Sequence, residues 1–374
     1  MSSLFAPRFQ SEPVDPQALD AARPLRRPGP VGVLLVNLGT PDHPTAASIR
    51  RYLSEFLSDS RVIEIPRWLW QIILQGFILT RRPRKLAPRY QEIWMDEGSP
   101  LLVYSRAQAS GVQRVLDAQR AARSEGDARA ALDEAGVAVR VELGMRYGNP
   151  SVAGAMDALR AQGCERILTV PMYPQYAAST TATAVDQVAA VAARLRNQPE
   201  LRFIKRFHTD QAYIQALAGQ VRAHWQAHGR PQKLLLSFHG LPRRVVLQGD
   251  PYYRDCMETA ALLRQSLGAD ASLVEVAFQS RFGAEKWLEP YTLPTLQAWA
   301  SQGITRVDVM CPGFLADCLE TLEEIQQQCR DAFMAAGGEQ FHYLPCLNDD
   351  PAWISGLARL ITRNLGGWLD GSSV

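Results

Sequence analysis

The first chemically suggestive residue is a histidine at the end of a predicted buried strand. Residues 233–242 read KLLLSFHGLP, in which an apolar run leads to His239 and the chain then turns at Gly-Leu-Pro. Ligands of open parallel sheets bind beyond the carboxyl ends of the strands, and an imidazole titrates near neutral pH. His239 is therefore a candidate for proton transfer or metal binding, although a turn histidine with a satisfied hydrogen bond fits the same stretch.

A second candidate is the acidic run in CPGFLADCLETLEEI, residues 311–325. A helix is predicted to begin near Asp317, which would place Asp317, Glu320 and Glu324 on one face. Like charges so placed repel one another, and a bound cation or held protons would relieve the repulsion. The alternative is a capping box, with Asp317 as N-cap and Glu320 three positions later, and the residues alone favour it. Together with His239, such a carboxylate would make a sparse site for a divalent metal.

The other histidines and the cysteines give weaker signals. His224 and His228 are four residues apart on a predicted helix, but neither has a third ligand or an acidic partner at ligand spacing, so a solvated surface is favoured. The six cysteines are irregularly spaced with no CxxC pair, which predicts buried free thiols. An iron–sulfur cluster remains a minor alternative, and its ligands would come from Cys311, Cys318, Cys329 and Cys346.

Eight short apolar runs separated by helical patterns predict the elements that hold these residues. The strands are predicted to begin at Val31 and to continue at residues 137–143, 166–170, 201–207, 234–238, 273–278, 306–310 and 342–344. Residues 143–171 and 277–312 form an internal repeat, in which an Arg-aromatic-Gly strand tip leads through a helix to a Gly-x-x-Arg strand that ends on proline. A repeated βαβ unit predicts an α/β fold of two similar lobes, each a parallel sheet flanked by helices, with a cleft between them.

Composition and length narrow the classes of function. The 374 residues are 47% hydrophobic, enough for a large core and two domains. Forty basic and 38 acidic residues leave a net charge near +2, so nucleic acid is not an expected partner. Residues 1–30 are rich in Pro, Arg and Ala and predict a flexible leader. They lack the pattern of a secretory signal, which favours the cytoplasm.

Residues 67–79, RWLWQIILQGFIL, are apolar on nearly every side and precede a basic run. The segment is too short to span a bilayer, which needs about 20 apolar residues. It fits either a buried helix or an exposed lip that touches a membrane surface or lines the mouth of a pocket for a large flat ligand. The basic run suits anionic headgroups and slightly favours the lip. The candidate lip residues are Trp68, Leu69, Trp70, Ile73 and Phe77.

Seven blocks in order, from Val31 to about Leu365, resemble the ferrochelatase family. They are LLVNLGTPD, RYQEIWMDEGSPL, GMRYGNPS, VPMYPQYAASTT, SFHGLPRR with GDPYY, FQSRFGAEKWLEPYT and CPGFLADCLETLEEI. The resemblance implies two Rossmann-like lobes, which we expect to hold four parallel strands each. It also implies insertion of ferrous iron into a porphyrin as the last step of haem synthesis, and the apolar lip favours protoporphyrin IX because it suits a less charged substrate. We place lobe 1 at residues 31–185 plus 330–374, and lobe 2, with His239 and Glu320, at residues 186–329.

The resemblance also implies roles for individual residues. His239 and Glu320 would face each other at the centre of the porphyrin as metal-handling and proton-accepting groups, and Asp317 and Glu324 would extend a path for protons or metal. The implied porphyrin-binding residues are Arg146, Tyr147, Tyr176, Trp287 and Phe314, with Arg146 as a partner for polar or anionic groups. Cys318 stands where some relatives have histidine, which leaves open how the second metal-side contact is made.

The same resemblance sets expectations about cofactors, partners and location. Animal members carry a C-terminal cysteine cluster for a [2Fe–2S] centre, and this chain has no comparable residues after Trp368, so iron is expected as substrate Fe2+ and no [2Fe–2S] cluster is expected. The lip would allow peripheral contact with the inner membrane. Two alternatives remain: a chelatase for coproporphyrin or for cobalt or nickel with another tetrapyrrole, and a non-catalytic haem-binding protein.

Overall fold

A computed structural model describes residues 9–10, 29–125 and 137–369 of the chain, so the predicted leader lies almost wholly outside the described residues. Its strands form two sheets. The first sheet, in the spatial order β2-β1-β3-β4, consists of β1 (Val31–Thr40), β2 (Val139–Gly148), β3 (Arg166–Pro171) and β4 (Glu200–Phe203). The second, in the order β6-β5-β7-β8, consists of β5 (Lys233–His239), β6 (Val274–Gln279), β7 (Arg306–Met310) and β8 (Gln340–Leu344).

Every strand pairing in both sheets is parallel, and helices connect the strands. The first helices are α1 (Ala46–Leu57), α2 (Arg67–Ile73), α3 (Leu79–Ile93), α4 (Pro100–Glu125), α5 (Val152–Ala161) and α6 (Thr183–Ala192). They are followed by α7 (Gln211–His228), α8 (Arg243–Leu247), α9 (Tyr252–Leu267), α10 (Thr292–Ser301), α11 (Leu319–Thr321), α12 (Arg330–Ala335) and α13 (Pro351–Asn364). Three π-helical segments occur at Leu74–Ile78, Ala178–Ala182 and Leu322–Cys329.

The internal repeat predicted from the sequence is confirmed by the equivalent positions of the strands. Strands β5 to β8 occupy in the second sheet the places that β1 to β4 occupy in the first. A matching backbone hydrogen bond follows each repeated strand tip, from Met145 to the carbonyl of Pro150 at 2.6 Å and from Phe278 to that of Pro290 at 2.8 Å. The predicted α/β class, with two four-stranded parallel sheets flanked by helices, is confirmed.

The predicted boundaries between the lobes need correction at two strands. Strand β4 pairs with β3 through Arg166 and Glu200, so residues 200–203 belong to the first sheet and not to lobe 2. Strand β8 pairs with β7 through Arg306 and Gln340, so residues 340–344 belong to the second sheet and not to lobe 1. Both are short edge strands. Their backbone pairing, which the local sequence does not reveal, decides to which lobe they belong.

The two lobes share one apolar core. A single cluster of buried side chains contains Val33 of β1 and Leu236 of β5, together with residues of α4, α7, α9 and α13. Trp353 of α13 is fully buried at its centre, 6.1 Å from the ring of Phe207 and 5.9 Å from that of Tyr213. Strands β1, β3, β5 and β7 are buried on both faces, which explains why they read as continuous apolar runs in the sequence. In the part of the chain that the structure describes, no helix has the length and apolar character needed to cross a membrane.

Candidate active site

His239 is the last residue of β5 and is half-buried. Its Nδ1 lies 2.7 Å from the carbonyl oxygen of Gly240. A carbonyl only accepts hydrogen bonds, so Nδ1 must carry the proton and donate it. Nε2 is then the ring nitrogen with a free lone pair, available to accept a proton or bind a metal.

Gln279, the last residue of β6, connects the tip of β5 to the acidic segment. It is paired with His239 across the two strands, and its backbone carbonyl accepts a hydrogen bond from Gly240 at 2.8 Å. Its side-chain oxygen accepts from Ser237 at 2.7 Å, while its amide donates to the backbone carbonyl of Glu320 at 2.7 Å. One buried amide therefore fixes the start of α11 relative to the histidine strand. No role for Gln279 was predicted from the sequence.

Ser280 holds Glu324 through both of its donors. Its backbone N–H donates to Glu324 Oε1 at 2.7 Å and its hydroxyl to Oε2 at 2.5 Å. Ser280 adopts a positive φ of 64°, unusual for a residue with a side chain, and this conformation lets both groups reach one carboxylate. Burial raises the pKa of Glu324, whereas the Ser280 hydrogen bonds and the nearby His239 act in the opposite direction. Glu324 and His239 thus interact electrostatically.

Glu320 lies in the first turn of α11, where the second lobe meets α3 of the first. Burial raises the pKa of Tyr90 on α3, and the Glu320 carboxylate raises it further. The helix begins at Leu319 with Cys318 as N-cap, and the N–H of Cys318 donates to Thr321 Oγ1 at 3.0 Å. The cap is therefore made by Cys318 and Thr321, and not by the predicted pair of Asp317 and Glu320. This leaves the carboxylate of Glu320 free of the capping role.

Asp317 is placed differently from the prediction that put it on one face with Glu320 and Glu324. It precedes the helix and is almost fully buried. One carboxylate oxygen accepts hydrogen bonds from Tyr343 at 2.5 Å and Thr321 at 2.9 Å, and the other accepts from Asn348 at 2.7 Å. A carboxylate so fully engaged anchors the segment before α11. The shared face is also altered because the chain continues from α11 as a π-helix, which has a longer turn than an α-helix.

Two aromatic residues predicted to bind a ligand lie close to His239. The ring of Phe314 is 6.4 Å from the imidazole between centroids. Trp287 is half-buried beside Gly240, where a Cβ would lie 2.8 Å from the carbonyl oxygen of Gln279 and 3.1 Å from the Trp287 ring. Glycine is therefore required at position 240 for the indole to approach the turn. The Nε1 of Trp287 is buried without a hydrogen-bond partner among the described residues.

The predicted ligand residues of the first lobe are less accessible. Tyr147 is fully buried, and its hydroxyl donates to Asp59 at 2.9 Å. Its ring packs against Phe56 at 5.1 Å, so in this structure it does not present a face to a ligand, contrary to the prediction. Arg146 donates to Asp59 at 2.6 Å and through Nε to the hydroxyl of Thr183 at 2.7 Å. It borders a pocket of about 660 Å³ that also includes Arg50 and Arg51 but not His239.

Tyr176, the remaining aromatic candidate, lies after β3 of the first lobe and is half-buried. Its backbone N–H donates to Asp255 of α9 at 3.2 Å, which connects the two lobes at this point. The ammonium of Lys205 lies 5.0 Å from the centre of its ring. Burial raises the pKa of the Tyr176 hydroxyl, and the carboxylate of Asp250 adds to this effect.

The apolar segment at residues 67–79 is partly an exposed lip and partly a buried helix, the two alternatives that the sequence left open. Trp68 and Phe77 are 71% and 62% exposed, and Leu69 is also exposed. Trp70, predicted to be part of the lip, points inward: it is 7% exposed and its indole N–H donates to the carbonyl of Leu57 at 2.6 Å. Ile73 is partly buried and packs against the cluster of buried side chains that contains Trp70. Helical periodicity explains the difference, because one face of α2 must pack on the protein.

A histidine cluster outside this site was not predicted from the sequence. His224 of α7 has an acidic neighbour after all, because Asp308 of β7 and His342 of β8 lie beside it in the fold. Its ring also stacks on that of His228, with centroids 4.4 Å apart. No spacing along the chain could reveal a group assembled from three elements. All six cysteines are buried free thiols, as predicted.

Two similar lobes, each with four parallel strands in the same order and flanked by helices, define a two-lobed α/β protein with Rossmann-like lobes. The family model named Ferrochelatase matches residues 30–365. The chain therefore belongs to the ferrochelatase family. Its activity is that of a lyase which inserts iron into a porphyrin in the final step of haem biosynthesis.

Curated relatives match nearly the whole chain. A ferrochelatase of Bordetella pertussis is 61% identical over 369 residues, which cover 99% of this chain and 98% of the relative. A ferrochelatase of an Azoarcus species is 56% identical, over 90% of this chain and 88% of the relative. Among solved structures, SirB from Bacillus subtilis with Fe3+ has a TM-score of 0.49 at 14% identity, covering 92% of this chain and 100% of that chain.

Proposed function

We propose that the chain inserts ferrous iron into protoporphyrin IX at the tip of β5, with His239 and Glu320 as the groups that handle the metal and accept the pyrrole protons. The observation that carries this proposal is the hydrogen bond from His239 Nδ1 to the carbonyl of Gly240 at 2.7 Å. It fixes the ring orientation and leaves Nε2 as the free acceptor. Glu320 is free of the capping role, and it and His239 both interact electrostatically with Glu324, which supports assigning them to one site.

Metal insertion requires two protons to leave the pyrrole nitrogens while iron sheds its waters. A neutral imidazole is a suitable base, because its ordinary pKa lies near neutral pH and makes proton transfer reversible. Glu324, whose pKa is raised by burial, exchanges its proton at a pH closer to neutral than an exposed glutamate does. We therefore place Glu324 after His239 and Glu320 on the route by which protons leave, and we leave Asp317 out of this route.

The ligand is held by aromatic groups on both lobes in this proposal. Phe314 and Trp287 flank His239, and Tyr176 lies on the first-lobe side. Flat rings suit a macrocycle, and rigid walls that favour a bent macrocycle would expose its nitrogens to the metal. Arg146 remains a proposed partner for anionic groups, because it borders an open pocket together with two further arginines.

Protoporphyrin is proposed over coproporphyrin because the exposed apolar surface of α2 suits the less charged substrate. The test is to follow the loss of free-porphyrin fluorescence when ferrous iron is added anaerobically, with protoporphyrin and coproporphyrin in competition. We expect faster metallation of protoporphyrin. Preferential turnover of coproporphyrin would overturn the substrate proposal, and haem binding without iron-dependent turnover would overturn the whole mechanism.

We also propose that α2 and the π-helical turn after it form a peripheral contact with the cytoplasmic face of the inner membrane. The exposed apolar side chains are Ile65, Trp68, Leu69, Ile72 and Phe77. Arg81, Arg84 and Lys85 follow on α3 and are exposed. Apolar side chains that insert at the headgroup level, beside cations that attract anionic lipids, make a reversible attachment.

The membrane proposal is tested by co-sedimentation with phospholipid vesicles. Full-length protein should bind vesicles that contain phosphatidylglycerol more tightly than vesicles of phosphatidylcholine alone. The double variant Trp68→Ser with Phe77→Ser should lose this binding, whereas Met334→Ser, at an exposed methionine on α12, should keep it. Unchanged binding of the double variant would contradict the proposal.

A further inference from the structure

The histidine cluster of the second lobe is assembled from a strand pair and a helix end. Asp308 and His342 are directly paired across β7 and β8, and His342 Nδ1 lies 3.1 Å from Asp308 Oδ1. His224, in the last two turns of α7, places its Nε2 3.5 Å from the other oxygen of Asp308. Asp308 is fully buried and also accepts a hydrogen bond from Trp225 Nε1 at 2.8 Å, which fixes its orientation.

Hydrogen bonds among the described residues do not satisfy every polar atom of this cluster. His224 Nε2 is buried, yet it makes no hydrogen bond to any described residue, because its approach to Asp308 lacks the required geometry. Buried polar atoms without partners are uncommon, and the lone pair or proton of this nitrogen is therefore available to a further group such as a metal ion. An open pocket of about 340 Å³ adjoins the cluster and is lined by His224, His228 and His342, so an ion can reach these side chains from solvent.

Two arginines near the cluster are held by other groups. An Nη of Arg306 donates to the backbone carbonyl of Gly229 at 2.7 Å and to that of His228. Arg330, at the edge of the pocket, forms an ion pair with Asp331 at 3.0 Å. Both guanidinium groups therefore satisfy carbonyl or carboxylate oxygens elsewhere and leave the oxygens of Asp308 to the two histidines and Trp225.

We propose that His224, Asp308 and His342 form a second binding site for a divalent first-row transition metal. Their ligand atoms all lie within 4.8 Å of one another, and a metal at about 2.0–2.2 Å from each bridges such a group after small side-chain rotations. Two imidazoles with one carboxylate select Zn2+, Co2+, Ni2+ or Fe2+ over Mg2+ and Ca2+, which prefer oxygen ligands. The pocket leaves room for water or His228 to complete the coordination.

This site is separate from the one that binds the substrate metal. His239 lies at the carboxyl end of β5, whereas Asp308 lies within β7, and His224 near the end of α7. A metal bound there would connect α7 to the inner strand β7 and to the edge strand β8 of the second sheet. It would therefore stabilise the fold without taking part in metallation, since a ligand that binds only the folded state raises its stability.

The first test titrates full-length protein with Co2+ in the His239→Ala background, so that the imidazole of the substrate site is absent. Visible absorption should report one equivalent of Co2+ bound through nitrogen and oxygen ligands. Adding His224→Gln or His342→Gln should weaken this binding by at least about tenfold, because a lost ligand costs no less than a lost outer-shell partner. Adding His43→Gln, at an exposed histidine, should leave it unchanged.

A further control separates this site from a second group, His208 with Asp255 and Glu258, whose ligand atoms are also close together. His208→Gln should not affect the Co2+ equivalent. Loss of that equivalent in His208→Gln with retention in His224→Gln and His342→Gln would overturn the proposal. So would the absence of any Co2+ binding in the His239→Ala background.

Thermal unfolding gives a second readout that does not depend on absorption. Zn2+ should raise the melting temperature relative to EDTA in the otherwise unaltered chain, and this rise should disappear in His224→Gln and His342→Gln. If the two variants melt lower than the parent by the same amount in EDTA and in Zn2+, the cluster is only structural and the proposal fails. Porphyrin metallation by both variants should match that of the parent.

Discussion

At the scale of single residues, backbone groups decide what the side chains at the site can do. The carbonyl of Gly240 orients the imidazole of His239, and the N–H and hydroxyl of Ser280 orient the carboxylate of Glu324. Both supporting residues follow directly after the paired strands β5 and β6. The groups that we propose to handle protons are thus held by the turns at the strand tips, where a rigid sheet limits their movement.

The raised pKa of Glu324 predicts a pH-dependent difference in stability. A carboxyl whose pKa is raised in the folded state binds more protons when folded than when unfolded, so its contribution to stability is lost as the pH rises above its ordinary value of 4.5. Glu324→Gln removes this titration and keeps the shape. The melting temperature of Glu324→Gln relative to the parent should therefore increase as the pH is raised from about 4.5 to 7.

The matched control is Glu339→Gln, at an exposed glutamate, for which the difference from the parent should stay constant with pH. A constant difference for Glu324→Gln as well would show that burial does not raise the pKa of Glu324.

At the scale of elements, the start of α11 separates Glu320, which we propose as a catalytic group, from Asp317, which is held by structural hydrogen bonds. Cys318 and Thr321 cap the helix, Glu320 lies in its first turn, and Asp317 is bonded to Tyr343 and Asn348. Three acidic residues that look equivalent in the sequence therefore have different environments. The π-helix that follows sets the position of Glu324 relative to Glu320.

The revised position of Asp317 predicts a defect in stability and not in catalysis. Asp317→Asn should lower the free energy of unfolding by about 1–3 kcal/mol, because it leaves at least one buried donor without an acceptor. The turnover number should stay within about threefold of the parent at a temperature where both are folded. A loss of about a hundredfold or more, with unchanged stability, would return Asp317 to the proton path. Asp331→Asn, at an exposed aspartate, is the control.

Local sequence predicted these elements well but not their ends. Apolar runs located all eight strands, and the tip of β5 identified His239. The cap at Cys318 could not be predicted, because an aspartate with a glutamate three residues later matches the standard capping pattern better. The roles of Gln279 and Ser280 depend on hydrogen bonds between separate strands and helices. Trp70 was assigned to the lip because an apolar run does not show which of its faces packs inward.

At the scale of the whole molecule, the two lobes share a common core, and we therefore expect them to unfold as one cooperative unit. The central apolar cluster contains residues of both sheets and of α13, the last helix described. The internal repeat was sufficient to predict two similar lobes. It was not sufficient to assign β4 and β8, since edge strands are short and their membership depends on pairing with distant residues.

The shared core predicts a single unfolding transition. Trp353→Ala should destabilise the protein by about 3–5 kcal/mol, because it removes a fully buried ring between Phe207 and Tyr213. Scanning calorimetry should show one transition in the parent and one, at lower temperature, in the variant. Trp68→Ala, at a tryptophan that is 71% exposed, should change the stability by less than about 0.5 kcal/mol. Two separate transitions would show that the lobes unfold independently.

The proposed mechanism depends most of all on His239 as the group that accepts a pyrrole proton. The direct measurement is single-turnover metallation of protoporphyrin by His239→Ala, together with the affinity of that variant for the porphyrin measured by fluorescence. We predict a loss of rate of about a hundredfold or more, with porphyrin affinity within about threefold of the parent, while His43→Ala keeps the full rate. Metallation by His239→Ala within a few-fold of the parental rate would contradict the account.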